Sequence, residues 1–144
     1  MFTKILVPTD GSDLSIKAMR GAVQMAQRLN ARIVGMTVVE PYAYTTLSEY
    51  QPEPAGAYEQ RVEAIARERL AVLEEDAKAA NVAVETTVAR SFSPFEAIID
   101  TAKRRDCDAI FMASHGRRGL GAILLGSETQ KVLTHSNIPV MVYR

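Results

Sequence analysis

"CDAIFMASHGRRGLGAILLGSETQKVLTH", residues 107–135, is the stretch that decides the fold. It opens on an apolar run that reads as a buried strand. It then crosses a segment with glycines at 116, 119, 121 and 126 around Arg117 and Arg118, and closes on a helix signature. Ser127, followed three residues later by Gln130, has the form of a capping box and predicts a helix starting there. A strand that runs through a glycine-rich loop into a helix is the repeating unit of a parallel α/β sheet.

The rest of the chain repeats that unit. "FTKILVP" (2–8) ends at a proline and is followed by the turn residues "TDGSD", so it predicts strand one. Ile16, Met19, Val23 and Ala26 then fall at helical spacing, with Ser12 or Asp13 as the cap and Asn30 as the stop. "ARIVGMTVVE" (31–40) has no polar alternation, the pattern of a strand covered on both faces. A second helix is predicted from about Tyr58 to Ala80, with Val62, Ile65, Ala66, Leu70, Leu73 and Ala77 on one stripe. "VAVETTVA" is strand three and "CDAIFMA" strand four. Between them, Ser93, Pro94 and Glu96 mark a helix start with proline at the first helical position. "IPVMVYR" closes the chain as strand five. The fold class that follows is α/β: one domain over 1–144, a doubly wound, open, five-stranded parallel sheet with helices on both faces. Ligands in such sheets bind beyond the carboxyl ends of the strands where strand order reverses, which singles out the loop after strand one and the glycine loop after strand four.

Composition narrows the function. Seventeen basic residues balance seventeen acidic ones, which speaks against general nucleic-acid binding and against an anionic membrane surface. The single cysteine, Cys107, forms no internal disulfide and fits a reducing compartment. The N-terminal apolar stretch is too short for a signal peptide and nothing reaches transmembrane length. The expectation is a soluble, cytoplasmic protein. Residues 41–57 hold three of the six prolines and predict one long irregular loop, in which Tyr42, Tyr44 and Tyr50 serve either as packing anchors or as part of a closing flap.

Glycines let the backbone approach a ligand, and amides at a helix start attract anions. The glycine loop therefore suits a phosphate, with the Ser127 hydroxyl and the amides of Glu128 and Thr129 facing it and Arg117 or Arg118 adding charge. A tight connection whose glycines merely permit turns is the competing explanation. Named motifs exclude several alternatives. "GAILLGSE" has the glycine spacing of a Walker A loop, but Ser127 stands where the lysine belongs. "PTDGSD" lacks the dinucleotide fingerprint. Met112 occupies the first position of a nucleophile elbow around Ser114. A phosphoacceptor role for Asp10 and Asp13 would need an aspartate ending strand three, which ends in Ala89 and Arg90. Two histidines, His115 and His135, and one cysteine make no transition-metal cluster.

From "ILVPTDGS" to "SNIPVMVYR" the chain resembles the universal stress protein family. Its nucleotide-binding members carry G-x2-G-x9-G-[ST] after strand four. Gly116, Gly126 and Ser127 match the last three elements, while Ala113 replaces the first glycine. Phe92, Ser93 and Pro94 stand where the family often has G-x-P. The resemblance implies an adenine nucleotide, ATP with or without Mg2+, lying across the strand ends. Pro8, Thr9 and Asp10 would meet adenine and ribose, and the backbone at Val38 would meet the base. Gly116, Gly126, Ser127 and Glu128 would cradle the phosphates, with Met112, Ala113, His115, Arg117 and Thr129 completing the set. It also implies a homodimer. "VMVYR" is an apolar edge strand that needs a cover, so strand five (138–143) is expected to pair antiparallel across a two-fold axis.

The function expected is that of a stress-associated regulatory protein using an adenine nucleotide as a signal. No residue presents itself as a general base, so catalysis beyond slow ATP hydrolysis is not expected. The alternative is a homodimer that binds no nucleotide and acts only through protein partners, a reading that Ala113 favours. A small hydrolase built on Ser114 and His115 is a third.

Overall fold

The structure is a computed structural model that describes residues 1–43, 53–117 and 125–144. Tyr44, Tyr50, Arg118, Gly119 and Gly121 lie outside the described residues. The elements run β1 (Lys4–Pro8), α1 (Asp13–Leu29), β2 (Arg32–Val39), α2 (Ala55–Ala79), β3 (Val84–Arg90), α3 (Pro94–Arg104), β4 (Ala109–Ala113), α4 (Ser127–His135) and β5 (Val140–Tyr143). All four strand pairings are parallel and the order is β3-β2-β1-β4-β5. The order reverses between β1 and β4, which brings the loop after β1 beside the loop after β4.

Alternation along each strand splits the core into two layers. Ile5, Val7, Ile33, Phe111 and Ala113 face Met19, Ala22 and Ala26 of α1 and Leu73 and Ala77 of α2. Leu6, Val34, Met36, Ile110 and Met112 face Ala97, Ile98 and Ala102 of α3 and Val132 of α4. Gly35 interrupts the apolar run of β2 for a steric reason. A Cβ there would overlap the fully buried Leu73 side chain, so glycine lets α2 settle onto the sheet.

Helix ends depart from the sequence reading in three places. α1 begins as expected: Ser12 is the N-cap and accepts from the Ser15 amide, and Asn30 closes the helix at φ 54°. α2 begins at Ala55, three residues before Tyr58, with the Tyr58 amide bonded to the Pro54 carbonyl. Its first turn precedes the apolar stripe, so periodicity does not register it. Ser93 and Pro94 occupy their expected places, but the Ser93 hydroxyl caps nothing. In α4 the N-cap is Gly126, not Ser127, and the capping box does not form. The Gln130 side chain turns back to the Leu125 carbonyl instead. Tyr42 acts as an anchor, donating its hydroxyl to the Glu53 carbonyl at 2.6 Å and lying edge-on to Tyr58. Among the described residues no helix is long and apolar enough to cross a membrane.

Candidate functional site

The two loops at the switch point are tied together through Asp10. One carboxylate oxygen accepts the Ser12 amide at 2.9 Å, closing the turn into α1, and the other accepts the Arg117 amide at 2.8 Å. The Arg117 Nε donates to the Asp10 carbonyl at 2.7 Å. Thr9 is buried, and its hydroxyl is engaged by Ser15 and by the Gly11 amide. Gly11, at φ 78°, makes the tip of the turn that only a residue without a side chain adopts freely.

Burial pushes the Asp10 carboxyl up, but hydrogen bonds from the side chain and amide of Ser12, the Arg117 amide and the Ser15 side chain outweigh it. They hold the carboxyl below its ordinary value of 3.8. A carboxylate with a lowered native pKa stabilises the fold above its unfolded value, and that contribution is lost as pH falls through the native one. Denaturant unfolding followed from about pH 7 to 2 should therefore show Asp10→Asn less stable than the parent at neutral pH, with the gap closing below pH 3.8. A gap of constant size across that range would show that the ionised form of Asp10 holds nothing in place.

The other side of the site is the start of α4. The Gly126 amide donates to the Ser114 carbonyl at 2.7 Å, and the Thr129 hydroxyl to the Ala113 carbonyl at 3.0 Å. These two bonds press the helix N-terminus onto the end of β4. No side chain caps it, and the first turn of a helix carries amides without intrahelical partners and the positive end of the dipole. A Cβ on Gly126 would stand 3.1 Å from the His115 Cα and 3.3 Å from the Ser114 carbonyl oxygen. A Cβ on Gly116 would collide with the Asp10 carboxylate. Both glycines are thus required by close approach. Gly126, at φ −70°, owes nothing to left-handed geometry.

Ala113 lies in regular β4 with its methyl in the α1-side core, 8 % exposed. The position is not among those with positive φ, so the missing glycine costs the strand no conformational freedom. Met112 packs on the opposite side, against α3 and α4. Pro8 ends β1, and the Thr9 amide bonds the Met36 carbonyl, two residues before Val38. Ser114 lies 3.2 Å from His115 Nδ1, but at 2 % exposure its hydroxyl is shut away from a substrate.

One contact of an expected residue and one further residue escaped the sequence reading. Glu128 sends its carboxylate to the Phe95 amide at 2.8 Å, capping α3 where Ser93 was expected to and joining the first turns of α3 and α4. Arg69, half-buried on α2, donates to the Thr37 hydroxyl at 3.3 Å and comes close to Gly11. A charged residue within an alternating-charge helix carries no local signal that it points inward.

Comparison with known proteins places this geometry in context. The family model described as the universal stress protein family matches residues 1–144. Universal stress protein YxiE of Bacillus subtilis (strain 168) is 34 % identical over 151 residues, with all of both chains covered. The structure resembles that of MJ0577, a protein of Methanocaldococcus jannaschii, with a TM-score of 0.83 and 25 % identity over 99 % of this chain and 96 % of that one. It also resembles a universal stress protein in complex with cAMP, with a TM-score of 0.71 and 25 % identity over 99 % and 97 % of the two chains.

Proposed function

The chain belongs to the universal stress protein family, and on that premise we propose that it is a cytoplasmic regulatory protein that binds an adenine nucleotide, ATP foremost, at the switch point between β1 and β4. The observation that carries this reading is the uncapped N-terminus of α4, held against the end of β4 by Gly126 and facing a loop pinned to Asp10. A structural relative in complex with cAMP supports the adenine part.

The residues fit such a guest. Gly116 and Gly126 let the loop lie against Asp10 and against the end of β4, where a Cβ would collide. The amides of Ser127, Glu128 and Thr129 would hold phosphate oxygens, and the exposed Ser127 hydroxyl and Arg117 would add a donor and a charge. Pro8, Thr9, Asp10, Val38 and Met112 would border adenine and ribose, with Ala113 and His115 forming the floor. Any Mg2+ would arrive with the phosphates, because the described residues offer no cluster of three His, Cys, Asp or Glu side chains. The nucleotide would act as a signal, read by protein partners. Residues 138–143 would join two copies: β5 is an edge strand, and its Met141 is 47 % exposed.

Calorimetric titration with MgATP, ADP, AMP and cAMP tests the reading on protein shown by absorbance to carry no co-purified nucleotide. Saturable binding of an adenine nucleotide at micromolar concentration is expected. Absence of heat with all four would leave the alternative, a stress protein acting through its partners alone.

A further inference from the structure

On the α1–α2 side of the sheet, away from the α4 N-terminus, a cavity of about 320 Å³ opens beneath the tip of the first loop. Ile16, Ile65 and Val72 make its apolar wall; Arg69 and Arg117 line the other side, and Glu68 stands exposed beside them. The two arginines converge on Gly11. A Cβ built there would lie 3.0 Å from Arg117 Nη2, 3.1 Å from Arg69 Cγ and 3.3 Å from Arg69 Nε.

Arg69 is poorly provided for. Its Nη1 makes one bond of 3.3 Å to Thr37, its Nε is closed off from solvent with no partner, and among the described residues no carboxylate pairs with it. Burial, and then the charge of Arg117, pull its pKa down, while Asp10 partly offsets them. A buried guanidinium N–H left unpaired carries its desolvation penalty uncompensated. That arrangement is costly as structure, and two converging guanidinium forks suit a planar oxyanion.

We propose that this cavity is a binding site for a small organic acid, its carboxylate held between Arg69 and Arg117 and its hydrocarbon body against Ile16, Ile65 and Val72. Glu68 and Asp10 stand near the two arginines and repel a multiply charged ligand more strongly than a singly charged one, which favours a monoanion over a polyphosphate. The cavity lies on the opposite layer of the sheet from α4 and shares Arg117 with the proposed phosphate cradle, while Arg69 and the apolar wall belong to it alone.

The test is a titration of 15N-labelled, nucleotide-free protein with sodium butyrate, beside neutral butyramide at matched ionic strength. Saturable shifts centred on the amides of Gly11, Ile16, Arg69 and Val72 are expected with butyrate and not with butyramide. Arg69→Met removes the charge and the unpaired N–H, and should weaken butyrate at least about tenfold with no fall in thermal midpoint. Ile65→Phe keeps both arginines and fills the apolar wall, and should weaken butyrate comparably. Equal response to butyramide, non-saturating or scattered shifts, or unchanged butyrate binding in both variants would overturn the site. A lowered midpoint in Arg69→Met joined to full butyrate binding by Ile65→Phe would do the same, by showing Arg69 to be a structural residue.

Discussion

Gly126→Val is expected to weaken adenine-nucleotide binding at least about a hundredfold, close to 2.7 kcal/mol. The backbone at Gly126 has φ −70° and ψ 157°, which valine adopts without strain, so the whole effect comes from contact. A Cβ would already press on the His115 Cα at 3.1 Å and the Ser114 carbonyl oxygen at 3.3 Å. Two further methyl groups force the loop away from the end of β4 and break the 2.7 Å bond from the Gly126 amide to Ser114. The amides of Ser127 and Glu128 are aimed by that bond, and they then lose their common direction. Overpacking of this kind costs about 1–3 kcal/mol of stability, so titrations belong well below the variant's thermal midpoint. Gly126→Ala, with one methyl at the edge of tolerance, should fall between parent and valine. Undiminished affinity in the folded valine variant would move the phosphates away from the start of α4 and end the cradle reading.

The second large effect lies in the core. Leu73→Ala is expected to cost about 4 kcal/mol in urea unfolding, because Leu73 is fully buried against β2 and its loss leaves a cavity. Gly35→Ala alone should cost about 1–3 kcal/mol, since its Cβ overlaps the Leu73 side chain. In the double variant the new methyl occupies space that Leu73 vacates. Its cost should fall short of the sum of the single costs by about 1 kcal/mol or more. Strict additivity would mean that α2 adjusts its position over Gly35 and that the close approach is not what glycine provides there.

Much of the molecule was legible from the chain alone. Five strands and four helices appear at their expected places, because a period of two or 3.6 in apolar residues is written locally and survives folding. The two candidate loops were legible for the same reason: Asp10 and Gly11 follow one apolar run, and Gly116 to Ser127 follow another. The errors concern polar ends. Ser127 and Gln130 have capping-box spacing, yet Gly126 takes the cap and Gln130 bonds Leu125. Ser93 is a cap by position, yet Glu128, thirty-three residues beyond Phe95, supplies the hydrogen bond to the Phe95 amide. A backbone donor takes whichever acceptor the packed structure brings nearest, and a sequence window shows only the acceptors nearby in the chain.

The sequence by itself determined the fold class, the order of elements, and the positions of the two candidate loops, since these rest on short-range periodicity and on residue types that tolerate turns. Tertiary structure alone decided the strand order that sets those loops side by side and the Asp10–Arg117 link across 107 positions. It also decided that Ala113 turns its methyl into the core and that Arg69 points inward under Gly11. Apolar strands are interchangeable in pattern and charged helix residues alike in spacing. Which of them meet is settled by the packing of whole layers, and only the folded chain expresses that.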